Sequence, residues 1–172
     1  MRLGSLLILI IVVLVLCVEI GTDKNRAPYI KALDVSRNKK TLNIGLTKHL
    51  NNLGRRLAAC ANLPNPSIAF LDNDDFRQLF PEMPTDAVAT IAHLSLIDWI
   101  VKENMYIVFN NHFIKDGGVM AAEKILAHEI GHRIFEPTSY HSFLNDISGK
   151  LRDVEIELIA SAIGNYRLYN CP

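Results

Sequence analysis

The stretch from Ala122 to Phe135 constrains the fold of this chain most, because it contains the pattern His128-Glu129-x-x-His132. On an α-helix, residues four positions apart lie on one face, so the two imidazoles can reach a single metal ion. Glu129 then lies beside that ion, where its carboxylate can accept a proton from water. The pattern therefore predicts a helix that carries two ligands of a zinc site.

The residues around this pattern favour a helix over 119–135. The segment contains no proline, and Gly131 is its one internal glycine. Gly117 and Gly118 come just before it, and Pro137 follows shortly after its last apolar residue. Glycine and proline at these places are typical of helix limits.

Charge and cysteine content argue against two other kinds of protein. Eighteen basic residues balance eighteen acidic ones, so no overall positive field predicts nucleic-acid binding. The three cysteines, Cys17, Cys60 and Cys171, lack the spacing of a cysteine-type zinc site. The length of 172 residues suits one domain with its own core.

Residues 1–20 form a hydrophobic N-terminal segment. The run from Leu3 to Val18 is apolar except for Gly4 and Ser5. As a helix it would extend about 24 Å, against ~30 Å for the hydrocarbon core of a bilayer. A cleaved signal peptide and an uncleaved single-pass anchor both fit. Since small residues suited to cleavage are missing around residues 17–21, we favour the membrane anchor.

The side of the membrane on which the remaining chain would lie is open. Six basic residues fall between Lys24 and Lys40, and by the positive-inside rule they place the following domain in the cytoplasm. A signal peptide would instead export the domain, and Cys60 and Cys171 could then pair. Residues 21–40 are polar and predict a linker, which leaves residues 41–172 as the folded domain.

The patterns along this domain predict an α+β fold. Leucines recur at three- and four-residue steps over 41–61, which indicates a helix, and 67–71 is a short strand candidate. The acidic cluster at 72–75 fits a helix N-cap better than a calcium loop. Residues 85–102 fit either a helix or a strand.

The clearest strand is Met105–Asn110, a β-branched and aromatic run just before the motif helix. We expect it to lie at the edge of a small sheet beside the zinc helix. There its free edge could pair with an extended peptide and hold the scissile bond near the metal.

A catalytic zinc takes three protein ligands, so the chain must supply one more. A third histidine six residues after His132 is absent, because position 138 is Thr. A helix predicted over 151–169 offers two glutamates. Glu155 lies on its apolar face, where a buried carboxylate needs a partner such as a metal. Glu157 leads a stripe of small residues that permits close helix contact, namely Ala160, Ser161 and Gly164. We therefore prefer Glu157, with Glu155 as the alternative.

The segment His128-Glu129-Ile130-Gly131-His132, followed by Glu157-x-x-Ala160-Ser161, resembles the gluzincin pattern. In that pattern the third ligand is a glutamate, and Asp or Asn is more usual at the position of Ser161. The upstream residues 124–127 and Gly131 resemble membrane-tethered HtpX-type peptidases and the smaller ImmA/IrrE-type peptidases. The order of elements over about 41–170 is similar too.

The resemblance implies a zincin-like metallopeptidase domain in which His128, His132 and Glu157 hold Zn2+. It implies that Glu129 is the general base and then the proton donor to the leaving amine. It also implies that a tyrosine or histidine stabilises the oxyanion. The candidates for that role are Tyr140, His141 and Tyr166.

Taken together, these features predict a zinc-dependent metallopeptidase that hydrolyses peptide bonds in a peptide or protein substrate. We expect it to be tethered to a membrane through its N-terminal segment, or exported if that segment is cleaved. The alternative is a non-catalytic, membrane-tethered domain of the same fold that serves as a binding module or scaffold.

Overall fold

The computed structural model describes residues 26–39, 44–84, 88–91, 105–135 and 153–171. In this part of the chain five helices and three strands follow one another in the order α1 (26–39), α2 (Ile44–Cys60), β1 (Pro66–Leu71), α3 (Asn73–Leu79), β2 (Ala89–Ile91), β3 (Met105–Asn110), α4 (Asn111–Phe135) and α5 (Asp153–Asn170). The α+β prediction is confirmed, as are the predicted elements that correspond to α2, β1, β3 and α5.

The three strands form one sheet in the order β1-β3-β2. β1 runs parallel to β3, with Ile68 opposite Ile107, and β2 runs antiparallel to it, with Thr90 opposite Val108. The prediction that Met105–Asn110 is an edge strand is therefore wrong, because β3 has a hydrogen-bonded neighbour on each side. Among the described strands, β2 takes the outer position beside the motif helix.

Successive strand residues point to opposite faces, so the sheet separates two apolar clusters. On one face Ile107 and Phe109 pack with buried aliphatic side chains of α2 and α4, and Phe70 and Phe109 stack with ring centroids 5.4 Å apart. On the other face Val108 meets α1 and α3. Each large apolar side chain buried in this way contributes about 1.5–3 kcal/mol.

The prediction that residues 21–40 form a polar linker is wrong for residues 26–39, the part of this segment that the structure describes. Residues 26–39 are the helix α1, and Tyr29 and Ala32 are buried in the second apolar cluster. The Tyr29 hydroxyl donates to the Ile91 carbonyl at 3.0 Å, and the Ser36 hydroxyl accepts from the Phe70 amide at 2.9 Å. The linker prediction missed α1 because a few inward side chains at helical spacing lie among many polar ones.

Helix α3 begins where the acidic cluster predicted an N-cap. The Asp72 carboxylate accepts a hydrogen bond from the Asp75 amide at 2.9 Å, and Phe76 anchors the short helix in the second cluster. The ammonium group of Lys39, at the end of α1, is paired with Asp72 and Asp75.

Cys60 and Cys171 form a disulfide, with their Cα atoms 6.0 Å apart. The bond joins the C-terminal end of α2 to the residue that follows α5, and the two cysteines are 111 positions apart. Arg167 supports the same junction by donating to the Cys60 carbonyl at 3.3 Å. Helix α5 is thereby fixed covalently to the core.

Within the described ranges, none of the helices combines the length and the apolar character needed to cross a lipid bilayer. The run from Leu3 to Val18, which predicts an anchor or a signal peptide, lies outside the described residues.

Candidate metal centre

The motif helix starts at a kink that needs glycine. α4 consists of two helical pieces that meet at Gly118, where φ is 70° and ψ is −172°. A positive φ of this kind is readily adopted by glycine and strained for other residues. The second piece runs from Val119 to Phe135, so the predicted motif helix is confirmed together with its glycine limit.

Two glycines let α4 and α5 approach each other at backbone distance. A Cβ atom on Gly131 would lie 2.1 Å from the carbonyl oxygen of Ala160, and one on Gly164 would lie 2.2 Å from that of Ala127. Real Cβ atoms are essentially never found within 3.0 Å of another atom. The small-residue stripe on α5 thus faces the motif helix and brings Glu157 next to the two histidines.

The described ligand atoms of His128, His132 and Glu157 all lie within 4.8 Å of one another. One Glu157 carboxylate oxygen is 2.9 Å from Nε2 of His128, and the other is 3.5 Å from Nε2 of His132. The two Nε2 atoms are 3.0 Å apart, and the imidazole planes are nearly perpendicular at 88°.

These separations fit a tetrahedral zinc site. Zinc binds imidazole nitrogen and carboxylate oxygen at about 2.0–2.2 Å, which puts neighbouring ligand atoms of a tetrahedron ~3.3 Å apart. The three separations given above differ from that value by a few tenths of an ångström at most. A group of two imidazoles and one carboxylate is also a ligand set that zinc takes in catalytic sites. The described residues therefore could hold zinc.

Ser161 orients one of the histidines. Its hydroxyl oxygen is 2.9 Å from Nδ1 of His128, on the side of the ring away from Glu157. If Nε2 were to bind a metal ion, Nδ1 would carry the ring proton and donate a hydrogen bond to the Ser161 hydroxyl oxygen. A hydrogen bond of this kind fixes the ring and the tautomer of a metal-binding histidine. Ser161 thus contacts the candidate site directly.

Burial keeps His128 in the form that binds metals. Removal from water lowers the pKa of His128, and the neighbouring His132 lowers it further, while the Glu157 carboxylate acts in the opposite direction. The net shift is downward, so the imidazole is neutral at neutral pH and its Nε2 lone pair is available. Glu157 is the more open ligand, with 58% of its side chain exposed.

The three residues border a cleft of about 600 Å³. Glu129 also lines this cleft and is only 7% exposed, so the motif places a buried carboxylate next to the histidines. The wall opposite the two helices comes from β2 and the residues before it, namely Met83, Pro84, Val88, Ala89, Thr90 and Ile91. The arrangement suits an extended substrate lying between β2 and α4.

Other predicted site residues are not brought to this cleft. Tyr166 lies on α5, nine residues and therefore two and a half turns beyond Glu157, and is 64% exposed. It does not line the cleft. Tyr140, His141 and the side chain of Glu155 lie outside the described part of the structure. Among the described residues, Glu157 is the glutamate that meets the histidines.

Three cleft residues have roles or positions that the sequence analysis did not identify. Ser161 was identified from the sequence only as a member of the small-residue stripe, and its hydrogen bond with His128 was not predicted. Lys124 and Asn165 also line the cleft. Helical spacing could have predicted that both line the cleft, because Lys124 is four residues before His128 and Asn165 is four residues after Ser161. Residues at this spacing lie on the same face of a helix.

No family model matches the chain, and comparisons with curated proteins and with solved structures also found no match.

Proposed function

We propose that this chain is a zinc-dependent metallopeptidase with a zincin-like domain. The observation that carries the proposal is the convergence of His128, His132 and Glu157 at ligand distances beside the buried carboxylate of Glu129. Two histidines and a glutamate with a neighbouring carboxylate are the parts that zinc-assisted peptide hydrolysis requires. The close α4–α5 contact holds these parts on two rigid helices, which favours a fixed geometry.

His128, His132 and Glu157 would hold the zinc ion. When bound, zinc supplies a Lewis acid that polarises the peptide carbonyl and lowers the pKa of water. Ser161 keeps the His128 ring turned toward the ion through its contact with Nδ1.

Glu129 moves the proton in the proposed reaction. Its carboxylate accepts a proton from the water as the water oxygen attacks the carbonyl carbon of the peptide. Glu129 then donates that proton to the amide nitrogen as the C–N bond breaks, which yields an amine and a carboxylic acid that loses its remaining proton to the amine or to solvent. Because Glu129 is nearly buried, it makes this transfer in a poorly hydrated environment, where electrostatic interactions are strong.

β2 is the proposed guide for the substrate backbone. It pairs with β3 on one side and lines the cleft, so the other side is the sheet edge nearest to the histidines among the described strands. An extended peptide that adds to this edge would gain main-chain hydrogen bonds and lie along α4. In this proposal the strand that pairs with the peptide substrate is β2, and not β3 as the sequence predicted.

We also propose that the domain works in an oxidising compartment. The Cys60–Cys171 disulfide supports this placement, because such bonds persist outside the reducing cytoplasm. The N-terminal apolar run would then serve as a signal peptide or as an anchor with the domain on the outer side. Thiol labelling of the native, non-reduced protein tests the pairing, and modification of Cys60 and Cys171 would contradict it.

The test of the enzyme is metal content and hydrolysis measured on the full chain purified in mild detergent. We expect about one zinc per chain in the parent protein and a loss of that zinc in His128→Ala. Glu129→Gln should keep the zinc and lose hydrolysis of a mixed peptide library by about 10²–10⁴-fold.

The possible outcomes test the metal site, the enzymatic activity and the role of Glu129 separately. A folded parent protein that binds no zinc would overturn the metal site. Stoichiometric zinc without hydrolysis of any peptide would overturn the enzyme and support the non-catalytic binding domain. Full activity in Glu129→Gln would show that another group moves the proton.

A further inference from the structure

We infer that Lys124 and Asn165 form a subsite that recognises a carboxylate of the substrate, close to the scissile bond. The inference rests on the proposed peptidase function and adds a substrate class to it, namely peptides that carry an acidic group near the cleavage point. Both residues line the same cleft as His128 and Glu129.

The helix packing places the two residues at the same end of the cleft. Gly131 touches Ala160, and Gly164 touches Ala127, so α4 and α5 run in opposite directions along their contact. The start of α4 therefore lies beside the end of α5. Lys124 is one turn before His128 on α4, and Asn165 is one turn after Ser161 on α5, so both lie on the same side of the histidines.

Lys124 is in a position to bind an anionic group. It is exposed and lies one helical turn, about 6 Å, before His128 on the cleft face of α4. In the part of the chain that the structure describes, no carboxylate pairs with it. Its ammonium group is thus available to a ligand in the cleft, and the Asn165 amide can add a hydrogen bond from the facing helix.

The charge of the cleft favours the same ligand. Among the described residues that line the cleft, the charged side chains are Lys124, Glu129 and Glu157, besides the two histidines. With a divalent ion on the histidines and Glu157, the two carboxylates balance the two positive charges of the ion. Of the charges on these described residues, that of Lys124 is left unbalanced, and it favours an anionic group at the Lys124 end of the cleft.

Distance limits where that group can lie in the substrate. An extended chain advances about 3.3 Å per residue, so a 6 Å offset along α4 corresponds to about two residues. The carboxylate could belong to an Asp or Glu side chain within two residues of the scissile bond. It could also be the C-terminal carboxylate of a peptide that ends there.

The test measures binding of N-acetylated hexapeptides by calorimetry to the full-length, zinc-loaded Glu129→Gln protein. One peptide series places Glu or Gln at each position in turn, and a second compares a free C-terminal acid with its amide. Lys124→Met and Lys124→Glu are made in the same background. Lys48→Met, an exposed lysine on α2 away from the cleft, is the matched control.

We expect one carboxylate position to strengthen binding about five- to tenfold over its neutral counterpart. Lys124→Met should abolish this preference, Lys124→Glu should reverse it toward Lys-containing peptides, and Lys48→Met should leave it unchanged. Asn165→Leu should reduce it by a smaller factor. The series that shows the preference identifies the carboxylate as a side chain or a C-terminus.

The proposal is overturned if a folded, zinc-loaded protein shows no carboxylate preference, or if the preference persists in Lys124→Met. Hydrolysis by the parent protein is measured separately on the same peptides. A Lys124-dependent preference in binding without any hydrolysis would leave the subsite in place and contradict the peptidase. Hydrolysis without that preference would contradict the subsite alone.

Discussion

The two faces of the sheet are built in different ways. On the site face, α4 and α5 meet backbone to backbone at Gly131 and Gly164, with no space for one added methyl group. On the other face, α1 and α3 are held by aromatic rings and side-chain hydrogen bonds, among them Tyr29 against Phe80 with ring centroids 4.9 Å apart. Rings and long side chains can adjust to a change, whereas two packed backbones cannot.

This difference follows from what each face has to do. The candidate ligands lie on two separate helices, and their atoms can lie 2.9–3.5 Å apart only if the two helix backbones are held at a fixed distance. The opposite face carries none of the described ligand residues and only has to cover apolar side chains. We therefore expect changes on the site face to affect metal binding and stability together, and changes on the other face to affect stability alone.

The largest effect is expected from Gly131→Ala. The new methyl group would overlap the Ala160 carbonyl and force α4 and α5 apart, which should cost about 3 kcal/mol or more in the free energy of unfolding. It should also remove zinc, because Glu157 would move away from the histidines. Urea denaturation and elemental analysis measure the two effects.

The control for this variant is Ala162→Ser on the exposed side of α5, which should stay within about 0.5 kcal/mol of the parent protein. If Gly131→Ala keeps both its stability and its zinc, the backbone contact between the helices is not what holds the site.

A smaller effect is expected from Ser161→Ala, which removes the acceptor for Nδ1 of His128 and leaves the helix contact intact. Loss of such a contact lowers metal affinity by about 10–100-fold. The free energy of unfolding without metal should change by less than about 1 kcal/mol, because Ser161 is half-buried at the cleft wall. Competition with a zinc chelator measures the affinity. An unchanged affinity would show that Ser161 does not orient the ligand.

The smallest effect is expected on the opposite face, at Asp72. Loss of the α3 cap in Asp72→Ala should cost about 1 kcal/mol at pH 7 with no loss of zinc. The hydrogen bond from the Asp75 amide, and then the charge of Lys39, lower the pKa of Asp72 below its ordinary 3.8. A lowered folded-state pKa means that this stabilisation is present above about pH 4 and disappears as the pH falls through the folded value.

Asp72→Asn keeps the capping geometry without the charge, so its unfolding free energy should vary less between pH 5 and pH 3 than that of the parent. Asp34→Ala, which removes an exposed carboxylate 3.9 Å from Arg37, is the control and should stay within about 0.5 kcal/mol. Zinc loss in Asp72→Ala would contradict the independence of the two faces.

Local patterns in the sequence predict the elements better than their arrangement. The glycine limit, the apolar run of β3 and the leucines of α2 each act within a few residues, and all three appear as expected. The choice of Glu157 followed from small residues one turn away, and the structure brings that side chain to the histidines.

What the sequence did not predict depends on partners far along the chain. β3 is central because β1 and β2 both pair with it, and nothing within Met105–Asn110 encodes which neighbours it has. Helix α1 was missed because Tyr29 finds its partners at Thr90 and Ile91, about sixty positions away. The pairing of Cys60 with Cys171 was left open, because it depended on the compartment, and the structure brings the two cysteines together where α2 ends and α5 has just ended.

The disulfide has a consequence for a molecule that is nicked by a protease. It closes a loop that contains both histidines and Glu157, since Cys60 precedes them and Cys171 follows them. A single break in the backbone anywhere inside that loop yields two pieces that stay joined through sulfur. Such a nicked molecule would keep its intact size on a non-reducing gel and separate into fragments only after reduction. The three candidate ligands would remain on one covalent unit, so one cut need not release a metal ion bound there.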